Sequence, residues 1–227
     1  MNKVLITGAN GNLGSAIVNR FLNNNYQVIA FTSPGKFLTT ENKYLHQYEL
    51  DLMDELSTAE KIGQVLKNHP NLNKLVHTVG GFAMGNLENT NLEDIQEMIK
   101  LNFNTAFNVV KPLFSNLIKQ NYGRIILIGA RPAIEANAGK TTLPYALSKG
   151  MLFQFGEILN AEGAGKNVVT TIVTPSIIDT PPNRKAMPEA NFDDWVKPQQ
   201  IAESIYWLCS DQAMAVREPV LRIYHNS

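Results

Sequence analysis

The chain makes a glycine-punctuated turn directly after its first strand, and that turn limits the fold more than any other feature. Thr7-Gly-Ala-Asn-Gly-Asn-Leu-Gly14 follows the apolar run Val4-Leu5-Ile6. It opens a helical pattern in which Leu13, Ile17, Val18, Phe21 and Leu22 recur on one face. Gly8 permits the tight turn, Gly11 lets backbone approach a ligand, and Gly14 lets the helix pack closely on the strand. Asn10, Asn12 and Leu13 complete the loop, and the helix start offers unpaired N–H groups. Strand, glycine turn and helix in this order form a site for the pyrophosphate of a dinucleotide.

Beyond the turn, short β-type runs alternate with longer helical patterns. Strands are expected near Lys3 to Thr7, Gln27 to Thr32, His46 to Leu50, Lys74 to Val79, Arg124 to Ile128, Val168 to Val173 and Pro219 to Tyr224. Helices are expected near Asn12 to Asn24, Met53 to Asn68, Leu92 to Gln120, Thr142 to Glu162 and Pro198 to Cys209. This alternation implies an α/β fold, a single doubly wound Rossmann-type domain over residues 1–227 with a mainly parallel seven-stranded sheet. With 227 residues and 44% hydrophobic composition, one domain has enough material for a sizeable core. The proline-rich, polar segment 176–197 reads as an irregular substrate loop, and Ser33 to Lys43 as a second irregular stretch where the adenosine end of a nucleotide would lie.

Charge and composition exclude several classes. Twenty basic and twenty acidic residues cancel, so nothing favours nucleic acid or an anionic membrane surface. No apolar run approaches the roughly 20 residues needed to span a bilayer. The apolar start ends at once in the glycine turn and reads as a strand, not a signal peptide. Cys209 is the only cysteine and reads as a small buried hydrophobe. A cytoplasmic protein is expected. No spacing of His, Cys, Asp or Glu suggests a metal site, and His77, alone in an apolar strand, reads as a core or cofactor-edge residue.

Chemistry enters with Leu143-Pro-Tyr-Ala-Leu-Ser-Lys149. Positions i and i+4 share a helix face, so the Lys149 ammonium is expected beside the Tyr145 phenol, lowering its pKa and fitting it for proton exchange near neutrality.

Over essentially its whole length the chain resembles the short-chain dehydrogenase/reductases. The resemblance rests on landmarks in order: the turn Gly8 to Gly14, Asp51-Leu52, Val79-Gly80-Gly81, Asn102, Tyr145 with Lys149, and Pro175 with Thr180. It implies that Asp51 and Leu52 meet the adenine, that Val79, Gly80, Gly81, Pro175, Ile178 and Thr180 line the cofactor, and that Tyr145, Lys149 and Asn102 are catalytic. In that scheme hydride leaves the nicotinamide, Tyr145 gives a proton, Lys149 steadies the tyrosinate and holds the nicotinamide ribose, and Asn102 serves a proton relay. Within the family the likeness is to the quinoid dihydropteridine reductases, through Leu127-Ile-Gly-Ala-Arg-Pro-Ala133 and Asp179-Thr-Pro-Pro-Asn-Arg-Lys-Ala-Met-Pro-Glu-Ala190 with Phe192 and Trp195. Asn102 departs from that subfamily. Ala130 stands where most of the family carries a serine, so a carbonyl substrate lacks one donor, a loss on the order of 3 kcal/mol.

The expected activity is NAD(P)H-dependent reduction of a quinonoid dihydropterin or similar activated small molecule. A carbonyl reductase and a non-catalytic nucleotide sensor stand as alternatives. Thr32, Ser33 and Lys36 at the end of the second strand lean to NADPH, whereas the pterin reductase likeness leans to NADH. Phe82, Met84, Met187, Phe192 and Trp195 are candidates to sandwich a flat ring or to form an apolar cap. The resemblance implies pairing through the helices of Asn102 and Tyr145. Surplus apolar residues there (Phe103, Phe107, Val110, Leu113, Phe114 and Leu117, with Leu152, Phe153, Phe155 and Leu159) point to a homodimer or homotetramer.

Overall fold

A computed structural model describes residues 1–226. Strands β1 (Lys3–Thr7), β2 (Gln27–Thr32), β3 (Leu45–Glu49), β4 (Lys74–His77), β5 (Gly123–Ile128), β6 (Val168–Pro175) and β7 (Val220–Ile223) form one sheet. Their order is β3-β2-β1-β4-β5-β6-β7 and every neighbouring pair is parallel. Parallel neighbours require crossovers, which place helices on both faces. The helices are α1 (Asn12–Leu22), α2 (Glu55–Asn68), α3 (Leu92–Ile99), α4 (Thr105–Gln120), α5 (Ala136–Gly139), α6 (Leu143–Glu162), α7 (Pro181–Ala186) and α8 (Pro198–Leu208).

The pleat sorts the core into two layers. Val4 and Ile6 of β1 meet Ile17, Val18 and Phe21 of α1 and Ile201 and Ile205 of α8 on one face. Leu5, between them, faces the opposite layer, where Ile62 of α2, Val109 and Leu113 of α4, and Leu152 of α6 pack. Both faces of the central strands are thus covered, which is why they read as unbroken apolar runs. Chain order reverses between β1 and β4, and their C-terminal ends open the crevice in which such sheets take ligands.

Two segments carry detail beyond what the sequence pattern gave. Leu92 to Gln120 is helical throughout, as expected, but Lys100–Asn104 form a π-helical turn within it, between α3 and α4. Such a turn inserts a residue into the ladder, and it places Asn102 inward with no exposure. The segment 176–197 is more ordered than its composition suggested. Thr180 caps α7, the paired residues Pro181 and Pro182 open it, and a bridge between Ile178 and Val196 closes the loop on itself.

Candidate active site

The glycine turn carries a geometric demand that only hydrogen at Cα meets. Gly8 has φ +66°, and a Cβ there would lie 2.7 Å from Thr78 Oγ1. A Cβ on Gly14 would lie 2.1 Å from the Gly8 carbonyl oxygen and 2.9 Å from Ala9 Cα. The first turn of α1 is therefore pressed directly onto the exit of β1. Gly11 stands at the N-cap in an extended conformation and supplies no side-chain cap, and the first turn holds no acidic residue. Its amides are left for an anionic ligand, which is the arrangement a dinucleotide pyrophosphate requires.

Beside the turn lies a cleft of about 250 Å³. Of the residues expected at the cofactor, Gly8, Thr32, Ser33, Asp51, Leu52 and Val79 line it. Phe31, Pro34, Leu50, Met53, Leu101 and Thr105 line it too and were not foreseen. Pro34, Leu50 and Met53 adjoin foreseen residues in sequence, so a wider window around the two strand ends would have found them. Leu101 and Thr105 lie in and just after the π turn, which the sequence pattern did not mark. Asn10 Oδ1 accepts from Ser33 N at 3.0 Å and ties the glycine turn to the end of β2. A larger depression of about 560 Å³, with Glu157, Asn167 and Arg217 in its wall, lies by the start of β6 at the opposite end of the sheet and contains none of these groups.

The second cluster forms where α6 crosses the loop after β4. Asn102 Oδ1 accepts from Gly81 N at 2.9 Å, while its Nδ2 donates to Gly81 O at 3.2 Å and to Ser148 Oγ at 2.9 Å. Ser148 Oγ in turn donates to the Tyr145 carbonyl at 2.9 Å. Lys149 is 4% exposed, and its Nζ donates to Ile128 O at 2.8 Å. A Cβ on Gly80 would lie 2.6 Å from Asn102 Oδ1 and 2.9 Å from Lys149 Nζ. The bare backbone at Gly80 is what allows the asparagine and the lysine to converge. Their placement beside the expected tyrosine is therefore a product of the π turn, the glycine pair and α6 together.

The electrostatics differ from the i, i+4 expectation. Burial pushes the Tyr145 phenol up to about 12, and burial pushes the Lys149 ammonium down to about 8. Loss of water disfavours the charged form of each group, and the lysine ammonium is engaged at Ile128 O. The phenol therefore holds its proton through neutrality in this state. His77 is buried as a core residue. Its Nδ1 accepts from Thr7 Oγ1 at 2.8 Å, and its Nε2 faces Thr105 Oγ1 at 3.3 Å, an oxygen that itself donates to Leu101 O. The network selects the tautomer with hydrogen on Nε2. Burial, with a smaller contribution from Lys149, lowers its pKa to about 3 and keeps it neutral.

Ala130 is 4% exposed and brings no hydroxyl to the site. Gly129 before it cannot take a side chain, because a Cβ would lie 2.6 Å from Ile172 Cγ2. Of the aromatic candidates, Phe82 is open and sets its ring edge against Tyr145 with centroids 5.1 Å apart. Met84 and Met187 are also open, whereas Trp195 is buried against Phe192, so it cannot sandwich a ligand ring. Pro175 ends β6, and Thr180 is engaged as the cap of α7, accepting from Asn183 N. Among the described residues Pro175, Ile178 and Thr180 make no hydrogen bond to either cluster. No group of three or more His, Cys, Asp or Glu residues among the described residues could hold a metal, and no helix among them is long and apolar enough to cross a membrane.

Comparison with known proteins gives the family. The family model described as short chain dehydrogenase matches residues 2–191. The chain is 27% identical to a 3-oxoacyl-(acyl-carrier-protein) reductase, FabG, of Buchnera aphidicola subsp. Acyrthosiphon pisum, over 96% of this chain and 93% of that protein. It is 26% identical to a dihydropteridine reductase of Dictyostelium discoideum, over 89% of this chain and 85% of that protein. Among solved structures, "ElxO with NADP Bound" superposes with a TM-score of 0.88 at 22% identity, covering 98% of this chain and 96% of that one. Similar 3-oxoacyl reductases outnumber the dihydropteridine reductase, so overall identity does not single out the narrower likeness read from the sequence.

Proposed function

The chain belongs to the short-chain dehydrogenase family, whose members are NAD(P)-dependent oxidoreductases, and from that premise we propose that it reduces a quinonoid dihydropterin or a similarly activated flat heterocycle. The observation that carries this reading is that Ala130, where most of the family carries a serine, is buried and brings no hydroxyl, so that Tyr145 is the one acid offered. A ketone needs a second donor on its oxygen, and loss of one such donor costs about 10² to 10³ in rate. A quinonoid ring is electrophilic already and needs less polarisation. Open Phe82, in edge contact with Tyr145, offers an aromatic surface to a flat substrate.

The residues suit the cofactor's two ends. The uncapped start of α1, with Gly8 and Gly14 pressed together, would hold the pyrophosphate, and the cleft lined by Thr32, Ser33, Asp51 and Leu52 would hold the adenosine. A reduced nicotinamide, when bound, supplies the hydride. Tyr145 keeps its proton at neutral pH and delivers it from the phenol oxygen, after which the Lys149 cation balances the phenolate. Asn102, fixed by Gly81 and Ser148, holds the post-β4 loop and α6 in one geometry.

A second reading, reduction of a 3-oxoacyl thioester, is favoured by the activity named for the Buchnera relative. Ala130→Ser separates the two. Under the first reading the serine raises the rate on simple ketones relative to quinonoid pterin. A ratio that does not move would show that the oxygen of a ketone already has its donor and would favour the thioester.

We further propose a cytoplasmic homodimer seated on α4 and α6. Val110, Leu113, Leu117, Leu152 and Leu159 turn to the sheet and are buried, so they leave the seam to others. Phe107, Leu147, Met151 and Ile158 remain open on the outer side of these helices. An apolar stripe of this kind suits an isologous contact.

A further inference from the structure

Cofactor choice in this fold is decided where the ribose 2′ position meets the end of β2, and here the deciding carboxylate comes from a different strand. We infer that Glu49, the last residue of β3, selects NADH over NADPH. This rests on the reading above that the cleft takes a nicotinamide dinucleotide.

From Ser33 to Lys36, the start of the loop after β2, every backbone N–H is already engaged. Ser33 N donates to Asn10 Oδ1 at 3.0 Å, Pro34 has no N–H, and Lys36 N donates to Ser33 O at 3.0 Å. Gly35 N donates to Glu49 Oε2 at 2.6 Å, the shortest of these contacts and one made to a carboxylate. Gly35 can face its N–H that way because its φ is +71°, a conformation other residues rarely adopt. The Thr32 hydroxyl is buried and donates to Tyr48 O. A phosphate on the 2′ oxygen would therefore meet no free amide between Ser33 and Lys36. In that stretch the Ser33 hydroxyl and the Lys36 ammonium remain to receive it.

Glu49 also brings charge. It pairs in register with Thr32, so its carboxylate sits across from the residue that turns β2 into the cleft-lining loop. The same carboxylate closes that loop through Gly35. A 2′-phosphate would enter beside a like charge, whereas an unmodified ribose presents only hydroxyls there. Opposing Lys36 is one exposed lysine, a mobile point charge that solvent screens. The hydroxyls and lysine that lean to NADPH in the bare sequence are thus outweighed by one engaged hydroxyl, a closed loop and an added carboxylate.

The test is direct binding, measured by calorimetry with NADH and with NADPH on the full chain, without substrate. NADH is expected to bind about tenfold more tightly than NADPH, a gap of about 1.4 kcal/mol. Glu49→Gln keeps an oxygen for Gly35 N while removing the charge, and it should shrink the ratio to about threefold or less by strengthening NADPH. Glu49→Ala should strengthen NADPH further by freeing the Gly35 amide. Both substitutions are at an exposed position, so folding is not at stake. Wild-type protein that binds NADPH as tightly as NADH, or a ratio unmoved by Glu49→Gln, would overturn the assignment of Glu49. Failure of both dinucleotides to bind would overturn the dinucleotide reading itself.

Discussion

Lys149→Met removes a charge that folding has to bury, so it should stabilise the protein while abolishing turnover. Burial lowers the lysine from 10.5 to about 8. At about 1.4 kcal/mol per pKa unit, the ammonium costs about 3 kcal/mol wherever it is charged in both folded and unfolded chains. Methionine is similar in length and apolar, but it forfeits the hydrogen bond to Ile128 O, worth about 1 kcal/mol. A net gain of about 2 kcal/mol remains, or about 4–8 °C in Tm for a chain of this size. The pH dependence follows from the sign of the shift. Below the folded pKa both states hold the proton and the cost is complete. Between about 8 and 10.5 the unfolded chain binds more protons, so wild-type stability rises with pH and the advantage of the variant fades. Denaturant unfolding of both proteins at neutral pH and at about pH 10 measures this directly. A variant less stable than wild type at neutral pH, or a difference constant across that range, would refute the reasoning.

Two further outcomes follow from the same geometry. Tyr145→Phe should leave dinucleotide affinity within about twofold and lower turnover at least about tenfold, because it removes a proton and little volume; ultraviolet titration of the free protein should show no phenolate from Tyr145 below about pH 10, and a Tyr145-dependent phenolate near neutrality would contradict the upward shift. Phe107→Glu should convert a dimer seen by sedimentation at micromolar concentration to single chains, whereas a wild-type protein that sediments as one chain would remove the proposed seam.

Much of this was legible locally. The run Val4-Leu5-Ile6, the glycine turn and the face of α1 are local patterns, so β1, α1 and the tight turn between them could be read without neighbours. Tyr145 and Lys149 were readable as a helical pair for the same reason. Their pKa values were not, since spacing places two residues on one face but burial by the rest of the fold sets the charge. The π turn escaped notice, and so did the contacts of its Asn102 with Gly81 and Ser148, which are distant in sequence. Helix α7 did carry a signal: a threonine cap followed by Pro181 and Pro182 is a helix start, hidden by the polar composition around it. Glu49 had no signal at all, because its hydrogen bond to Gly35 exists only once β3 pairs with β2.

Turnover of freshly generated quinonoid dihydropterin, set beside a simple ketone and a 3-oxoacyl thioester with each nicotinamide cofactor, tests the central claim most directly. The pterin should be reduced at least about 10² times faster than the ketone, the factor expected where Ala130 withholds a donor, and Tyr145→Phe should lower that rate. Reduction of the thioester or ketone at rates equal to or above that of the pterin would contradict it.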